Sequence, residues 1–293
     1  MLSTNLQGVL SIHIAVALFG VAGVFAKLLN IEPALIVFGR TFFACLALLI
    51  VQPLMKLDMR LKEGRDVLWF LLMGTVLAFH WWSFFHSIQT STVAIGLLSF
   101  STFPIFVTFL EPLFLKERLR RIDIFVCLAV FLGLVLVIPD FDFQNNLTVG
   151  VFWGVLSGLS FAVLSILNRI CVINYSALTI AFYQSMVASL VLLPLVGGTV
   201  FAIALHELKL LILLGVVFTA LAHSFFIKGL THVTAQLASV ITCLEPVYGI
   251  LLAMVLLSEI PTTRELTGGC IIVGAIVFAT RWGRQKRRQE KEA

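Results

Sequence analysis

One apolar stretch of this chain carries a dense set of aromatic and polar side chains, Phe79-His-Trp-Trp-Ser-Phe-Phe-His86. Residues three and four apart share a face of a helix, so His80 and Ser83 lie on one stripe and Trp82 and His86 on the neighbouring stripe. Such a mixture suits a small zwitterion with an apolar side chain. The rings stack on that side chain while hydroxyl and imidazole groups replace water around the charged ends. We predict that His80, Trp82 and Ser83 bind substrate, with packing between helices as the alternative role of the rings.

Other polar or aromatic side chains at similar predicted membrane depth complete the set of substrate-binding candidates. They are Ser99, Trp153, Ser157, His223 and Thr242. Gly154 and Gly158 lie beside the stripe that contains Trp153 and Ser157. This small-xxx-small pattern is more typical of packed helices than of a ligand site.

Two ionisable residues within apolar stretches have different predicted roles. Glu245 lies near the predicted midplane, where an ionisable group costs on the order of a few kcal/mol, so we expect it to face the protein interior. It is either a proton acceptor or counter-charge for an amine, or a cap for broken backbone. Arg40 lies nearer the outer end of its helix, and we expect it to snorkel in a structural role. The midplane lacks a cluster of Lys or Arg, which argues against phosphorylated cargo.

Pro104 and Pro246 lie near the middle of two predicted helices. A proline there removes a backbone hydrogen bond and clashes with the preceding turn. The freed carbonyl groups must face protein or water, since lipid cannot satisfy them. These prolines are either passive kinks or a pair of hinges, and we favour hinges because they occupy equivalent positions in the two halves of the chain.

Catalytic signatures are missing from this sequence. It has no His-Glu-x-x-His, no Gly-x-Ser-x-Gly, no paired aspartates and no cofactor motif. The five cysteines fall inside apolar stretches without the spacing of a zinc site. We therefore predict no catalytic residue, no metal site and no cofactor.

Composition determines the elements that must position these residues. The 293 residues are 60% hydrophobic and 12% charged, with a mean hydropathy of +1.08, whereas soluble domains are about 45–50% apolar and about 25% charged. The chain is predicted to be an all-α integral membrane protein, since a span needs about 20 apolar residues. The ten predicted spans lie at approximately residues 9–29, 33–54, 67–87, 93–115, 122–139, 149–170, 177–196, 209–229, 235–257 and 266–282.

Positive charges orient these spans. Most of the 20 Lys and Arg residues fall on one side if Met1 is cytoplasmic, as the positive-inside rule requires. Both termini are then cytoplasmic, and the basic tail, residues 283–293, is a cytoplasmic anchor. The cations form short clusters between apolar runs, so the net charge of +5 indicates membrane topology, and we predict no nucleic-acid partner.

The chain contains an internal repeat. A shift of 142 residues aligns Gly8 with Gly150, Phe19 with Phe161, Lys27 with Arg169, Thr92 with Thr234 and Pro104 with Pro246, and a local shift of 144 pairs Arg40 with Gln184. Residues 1–146 form the predicted first repeat and residues 147–282 the second, with five helices each. An odd number of crossings inverts the second copy, and inverted repeats around a central cavity are the geometry of alternating access. A channel is disfavoured because no filter sequence occurs.

The duplicated motifs resemble a known family. The first copy has Thr92-Val-Ala-Ile-Gly96, Pro104 and Leu115-Lys-Glu-Arg-Leu119. The second has Thr234-Ala-Gln-Leu-Ala238, Glu245-Pro-Val247, Leu257-Ser-Glu259 and the glycines Gly268, Gly269 and Gly274. This pattern resembles the EamA repeat of the drug/metabolite transporter superfamily. The resemblance covers nearly the whole chain and implies a ten-helix carrier with a central cavity. The compact bacterial form is most similar to the YddG-type exporters of aromatic and other amino acids.

These observations lead to one hypothesis and three alternatives. We expect a carrier in the bacterial inner membrane that exports amino acids, aromatic or otherwise apolar, by alternating access. The alternative within the class is a multidrug or organic-cation exporter that uses Glu245. The alternatives from other classes are a membrane receptor and an intramembrane enzyme. A small molecule and the lipid bilayer are the predicted partners. Proton coupling is left open, as is the choice between a monomer and a homodimer.

Overall fold

The computed structural model describes residues 4–56, 58–115, 121–137, 142–275 and 278. Their regular secondary structure is helical, with no strand in these ranges. Within these ranges, eight helical segments are long and apolar enough to cross a membrane. A shorter apolar helix covers Ile124–Val137. The prediction of an all-helical, multi-pass membrane protein is confirmed, whereas the count of ten spans stays a prediction. The basic tail lies outside the described residues.

The helices follow the predicted spans closely. They are α1 (Thr4–Leu28), α2 (Pro33–Leu54), α3 (Arg65–Thr90), α4 (Val93–Phe100), α5 (Phe103–Leu115), α6 (Arg121–Val137), α7 (Asn146–Cys171), α8 (Ala177–Val196), α9 (Leu205–Gly215), α10 (Ala222–Leu230), α11 (Ala235–Thr242), α12 (Glu245–Leu256) and α13 (263–275). A 3₁₀ segment follows α8 at Gly197–Ala202, and a π-helical segment joins α9 to α10 at Val216–Leu221.

Two of the membrane-crossing segments are broken near the middle. The segment Val93–Leu115 consists of α4 and α5, and the segment Ala235–Leu256 consists of α11 and α12. Pro104 and Pro246 each lie in the first turn of the second half-helix, where proline is tolerated because its missing N–H has no intrahelical partner. Each proline therefore begins the second half-helix of its spanning segment, and the choice between a passive kink and a hinge stays a prediction.

Side-chain caps fix where the first half-helices begin. The hydroxyl of Thr92 accepts a hydrogen bond from the Ile95 amide at the start of α4, and Thr234 does the same for the Leu237 amide at the start of α11. Each cap satisfies an amide that has no partner within its own helix. The two caps are equivalent under the 142-residue shift.

Glycines allow the two halves of the chain to pack closely in a reciprocal pattern. A Cβ atom at Gly8 would lie 3.2 Å from the carbonyl oxygen of Gly229, and one at Gly150 would lie 3.2 Å from the carbonyl oxygen of Ser87. Both contacts join a helix of one half to a helix of the other half, and the 142-residue shift converts one contact into the other. The helices of the two halves therefore pack between one another and do not form two separate bundles.

Basic side chains tie helix ends together in an equivalent way in the two halves. Lys27 of α1 donates a hydrogen bond from Nζ to the carbonyl oxygen of Ser91 at 2.8 Å. Arg169 of α7, its equivalent, donates from Nη1 to the carbonyl oxygen of Leu230 at 2.7 Å. Each cation thus binds a carbonyl group at a helix C-terminus of its own half, where the helix dipole is negative.

Candidate functional site

A closed cavity lies where the two halves meet. Its lining residues are Phe19, Ala22, Arg40, His80, Trp81, Phe84, Phe100, Phe161 and Glu245. The cavity volume is about 20 Å³, which is room for a single water molecule. Ligand pockets of drug-sized molecules usually measure about 300–1,000 Å³. The cavity is therefore too small for a substrate, which can occupy this site only if helices move apart.

Arg40 projects into this cavity from α2. Its side chain is 2% exposed, so the expectation that it snorkels to the membrane surface is wrong. Nε donates to the hydroxyl of Thr219 at 2.8 Å, and Nη2 donates to the carbonyl oxygen of Phe218 at 3.3 Å. The guanidinium carbon lies 3.9 Å from the ring centroid of Trp81, which adds a cation–π attraction. These contacts replace the solvation that Arg40 loses on burial.

Glu245 brings the opposite charge to the same cavity from the start of α12. Its side chain is 3% exposed, as the sequence predicted for an ionisable group at this depth. No side-chain hydrogen bond reaches its carboxylate within the part of the chain that the structure describes, and Arg40 is the charged group that attracts it. The cavity therefore holds one guanidinium group and one carboxyl group between aromatic walls.

His80 and Ser157 are predicted site residues that the structure brings together. Nδ1 of His80 lies 3.1 Å from the carbonyl oxygen of Ser157 and 2.9 Å from its hydroxyl oxygen. In the tautomer that carries a proton on Nδ1, this nitrogen donates to the carbonyl oxygen of Ser157, and in the other tautomer it accepts from the Ser157 hydroxyl. The imidazole ring also stacks on Phe161, with the ring centroids 4.7 Å apart. His80 is thus held in one orientation at the cavity wall.

His223 contacts a residue that lines the cavity but does not itself line it. Its ring meets the edge of Trp81, with the centroids 5.5 Å apart. Nε2 lies 2.8 Å from Oε1 of Gln184, whose Nε2 in turn donates to Oδ1 of Asn168 at 2.6 Å. Among the described residues, Nδ1 of His223 and Nδ2 of Asn168 have no hydrogen-bond partner, and both atoms are buried. Gln184 thus holds His223, which packs against the cavity-lining ring of Trp81.

Three predicted hydroxyl groups bond to their own helices. Ser83 donates to the carbonyl oxygen of Phe79 at 2.8 Å, and Thr242 donates to that of Ala238 at 2.9 Å. Ser99 donates to the carbonyl oxygens of Ile95 and Gly96. None of the three lines the central cavity in this closed state. Their burial in apolar surroundings explains why these hydroxyl groups turn back to local carbonyl groups.

Trp82 and Trp153 form a separate aromatic cluster with His86. The rings of Trp82 and His86 stack with their centroids 5.1 Å apart, and Trp153 meets Trp82 edge-on at 4.9 Å. Trp82 and Trp153 are not among the residues that line the central cavity. Helical spacing had assigned Trp82 and His80 to different stripes, and in the structure His80 lines the cavity whereas Trp82 does not.

Several lining residues were not predicted, although the repeat contained a signal for them. Phe19 and Phe161 both line the cavity, and they are equivalent under the 142-residue shift. The same shift pairs Trp81 with His223, which contact each other. Positions that meet their own equivalents lie near the axis that relates two repeats, so the aligned pairs indicated the site.

The two ends of the helical bundle differ in openness. At the end predicted to face outward, Lys27, Glu32, Gln89, Thr199 and other residues line a pocket of about 680 Å³. At the opposite end, a pocket lined by residues that include Trp69 measures about 180 Å³. Of these two pockets, the one at the end predicted to face outward is thus the larger.

Polar contacts close the narrower end. Tyr175, in the turn between α7 and α8, donates a short hydrogen bond to the carboxylate of Asp66 and accepts one from the Lys62 amide at 2.8 Å. Tyr183 donates to the carbonyl oxygen of Met59 at 2.7 Å. Burial, together with the hydrogen bond to Asp66, raises the pKa of Tyr175, so this phenol stays protonated and able to donate.

Comparisons with known proteins agree with this architecture. The model of the EamA-like transporter family matches the chain twice, at residues 6–138 and 148–281. An uncharacterized transporter of Archaeoglobus fulgidus is 28% identical over 284 residues, which cover 94% of this chain and 96% of that protein. A solved crystal structure matches the fold with a TM-score of 0.70 at 18% identity, covering 97% of this chain and 98% of the other.

Two relatives have names that state a cargo. The pseudopaline exporter CntI of Pseudomonas aeruginosa is 28% identical over 221 residues, covering 75% of this chain and 76% of the relative. The S-adenosylmethionine uptake transporter of Rickettsia felis is 29% identical over 218 residues, covering 74% and 73% respectively. These relatives are both transporters, although their names give opposite directions of transport.

Proposed function

Because this chain belongs to the EamA-like transporter family, we propose that it is a carrier of a small zwitterionic metabolite, an amino acid or a compound built on one. The observation that carries the proposal is the pairing of Arg40 and Glu245 in one closed, aromatic-walled cavity. A guanidinium group suits a carboxylate, and a carboxylate suits an ammonium group. Phe19, Phe84 and the other rings of the wall suit an apolar or aromatic side chain.

The proposed mechanism is alternating access between two inverted repeats of five helices. The equivalent contacts that Gly8 and Gly150 make between the halves, and that Lys27 and Arg169 make within each half, support a two-fold relation between the halves. The cavity of about 20 Å³ represents an occluded state without room for the cargo. Breaks before Pro104 and Pro246 allow each half-helix to tilt, so these positions serve as hinges.

We propose export across the bacterial inner membrane, with both termini cytoplasmic. The resemblance to YddG-type exporters and the name of the pseudopaline exporter support this direction. The name of the S-adenosylmethionine uptake transporter points the other way. Binding of a zwitterion by paired charges operates in either direction, so vesicles of known orientation are needed to measure the net flux.

The alternative cargo, a bare organic cation, fits the cavity less well. Glu245 and the aromatic walls suit a cation, but Arg40 lies in the same cavity and would repel it. Loss of methyl-viologen resistance in Glu245→Gln, with amino-acid flux intact, would favour the cation exporter.

Transport by the purified carrier in proteoliposomes tests the proposal. Vesicles loaded with labelled phenylalanine, methionine or threonine should show specific flux, competed by unlabelled amino acid. Phenethylamine, which lacks the carboxylate, and hydrocinnamate, which lacks the ammonium group, should compete weakly. If no member of a broad amino-acid panel moves, the proposed cargo is wrong.

A further inference from the structure

The contact partner of Arg40 has an unusual backbone. The helical segment Leu205–Leu230 contains the π-helical turn Val216–Leu221 between α9 and α10. Within it, the hydroxyl of Thr219 donates to the carbonyl oxygen of Leu214, five residues earlier, at 2.8 Å. π turns are rare and frequently occur at functional sites. The widened turn presents the Thr219 hydroxyl and the Phe218 carbonyl on the side that faces Arg40.

This turn fixes one edge of the Arg40 guanidinium. Nε bonds to Thr219 and Nη2 to the carbonyl oxygen of Phe218, while Trp81 covers a face of the group. The N–H groups of Nη1 have no hydrogen-bond partner among the described residues, and Arg40 lines the cavity. A guanidinium held by one edge retains donors on the other edge, in the fork geometry that a carboxylate accepts.

A glycine brings the two backbones together at this point. A Cβ atom at Gly215, immediately before the π turn, would lie 2.6 Å from Cβ of Phe43 and 2.8 Å from the carbonyl oxygen of Arg40. Since a backbone oxygen cannot move aside as a flexible side chain can, α2 approaches this closely only because residue 215 lacks a side chain. The short separation allows Arg40 to reach Thr219.

The matching contact in the first half lacks the π turn. Gly74 of α3 approaches Gln184 of α8 in the same way, and a Cβ there would lie 3.0 Å from the carbonyl oxygen of Gln184. Gln184 is the equivalent of Arg40, yet α3 is a continuous α-helix from Arg65 to Thr90. The π turn therefore accompanies the charged partner and is absent beside the uncharged one.

From these contacts we propose that the π turn is a positioning element for Arg40 and that Thr219 determines specificity for the carboxylate of the cargo. This inference rests on the proposed function. Thr219 does not touch the cargo. It holds Nε so that the free edge of the guanidinium faces the cavity, and its loss lets the group rotate away from the carboxylate.

Three variants test the role of Thr219. Thr219→Val removes the hydroxyl at nearly constant volume, Thr219→Ser retains it, and Thr41→Val is the matched control. Thr41 is a buried threonine next to Arg40 whose hydroxyl donates to the carbonyl oxygens of Val37 and Phe38 and accepts a hydrogen bond from Ser189 of α8, so none of its bonds involves the Arg40 guanidinium. The assay measures the KM and maximal rate of phenylalanine counterflow, and inhibition by phenethylamine, in proteoliposomes.

The expected result is a change in discrimination. Thr219→Val should raise the KM for phenylalanine about tenfold, as loss of a hydrogen bond to a charged group implies. Its inhibition by phenethylamine should change less than about twofold, so the preference for the carboxylate falls about tenfold. Thr219→Ser should restore the preference, and Thr41→Val should leave it intact. Thr219→Ala replaces Thr219→Val if the latter is not recovered folded.

A double variant separates positioning from a general structural effect. In an Arg40→Gln background, Thr219→Val should not change the preference further, because the guanidinium it positions is absent. The inference is overturned if Thr219→Val alters both ligands equally, or if it matches Thr41→Val. Absence of amino-acid flux in the unmodified carrier would instead contradict the proposed function.

Discussion

The first and second halves of the chain place different side chains at equivalent positions around one cavity. Phe19 and Phe161 are identical and both line the wall. By contrast, Arg40 corresponds to Gln184, and Phe103 corresponds to Glu245. The aromatic wall is thus shared by the halves, while the cation comes from the first half and the anion from the second. Such a cavity has a fixed electrical polarity, which suits cargo with two opposite charges.

The backbone differs between the halves in a related way. The second half contains the π turn that receives Arg40, whereas α3 continues as a regular helix beside Gln184. Gln184 bonds to His223 and Asn168 within its own half, while Arg40 bonds to Thr219 of the opposite half. The polar contacts of the two positions are therefore not interchangeable, although the helix packing around them is reciprocal.

Making the first half resemble the second should have the largest effect. Arg40→Gln places glutamine, the residue of the second half, at both positions. It removes the guanidinium that is proposed to bind the carboxylate of the cargo. We expect amino-acid transport to fall roughly 100-fold, because a desolvated charge pair is lost. Initial rates of counterflow measure this change. Arg169→Gln, which affects a helix end away from the cavity, is the control, and equal losses in the two variants would contradict the polarity of the site.

Removing the charge contributed by the second half should have the next largest effect. Glu245→Gln retains the shape of the side chain but not its attraction for an ammonium group, and we expect transport of phenylalanine to fall about 30-fold. Competition by hydrocinnamate, which has no ammonium group, should be unchanged. Flux assays with both compounds measure the difference, and an equal loss for both would show that Glu245 acts on folding or on the conformational cycle.

The two matching glycines should differ in function but not in packing. A Cβ at Gly74 or at Gly215 would clash with the opposite half, so each Gly→Ala variant should be destabilised by about 1–3 kcal/mol. Thermal unfolding in detergent measures this loss. Only Gly215→Ala should also lower the preference for phenylalanine over phenethylamine, because it displaces Arg40 from the π turn. A similar loss of preference in Gly74→Ala would remove the functional contrast between the halves.

Phe100 and Thr242 are equivalent positions that provide the mildest test. Phe100 lines the cavity, whereas the hydroxyl of Thr242 bonds to its own helix. We expect Thr242→Val to change amino-acid transport less than about twofold, since a local hydroxyl–backbone hydrogen bond contributes little net free energy. Phe100→Leu removes one ring from the aromatic wall, so it should have a larger effect on the KM for phenylalanine. A larger effect of Thr242→Val than of Phe100→Leu would indicate that Thr242 contacts the cargo.

Sequence reasoning located some site residues and missed others for identifiable reasons. His80 and Glu245 were predicted and line the cavity, because polar groups at membrane depth have few favourable places other than the interior. Trp82 was selected for its aromatic ring, but a helix of aromatic residues presents such rings on several faces. Trp81, on the adjacent face, is the ring that covers Arg40.

The position of Arg40 along its helix did not determine whether its side chain is exposed or buried. Its position nearer a helix end was compatible with snorkelling to the surface, and the partners that hold it inside are 178 and 179 residues away in the chain. No local pattern around Arg40 indicates a π turn in another helix. The signal available was the alignment of Arg40 with Gln184, and it identified a position without identifying its contacts.

The sequence by itself determined that this protein lies in a lipid bilayer, where its helices approximately end, and that it contains an internal duplication. Apolar length, charge distribution and repeated motifs are properties of neighbouring residues or of fixed spacings, so they can be read along the chain. Only the tertiary structure decided which faces meet in the cavity, that the proline-containing segments are broken before Pro104 and Pro246, and that Arg40 is buried against a π turn. Those outcomes depend on close packing between distant helices, whose geometry is set jointly by both halves.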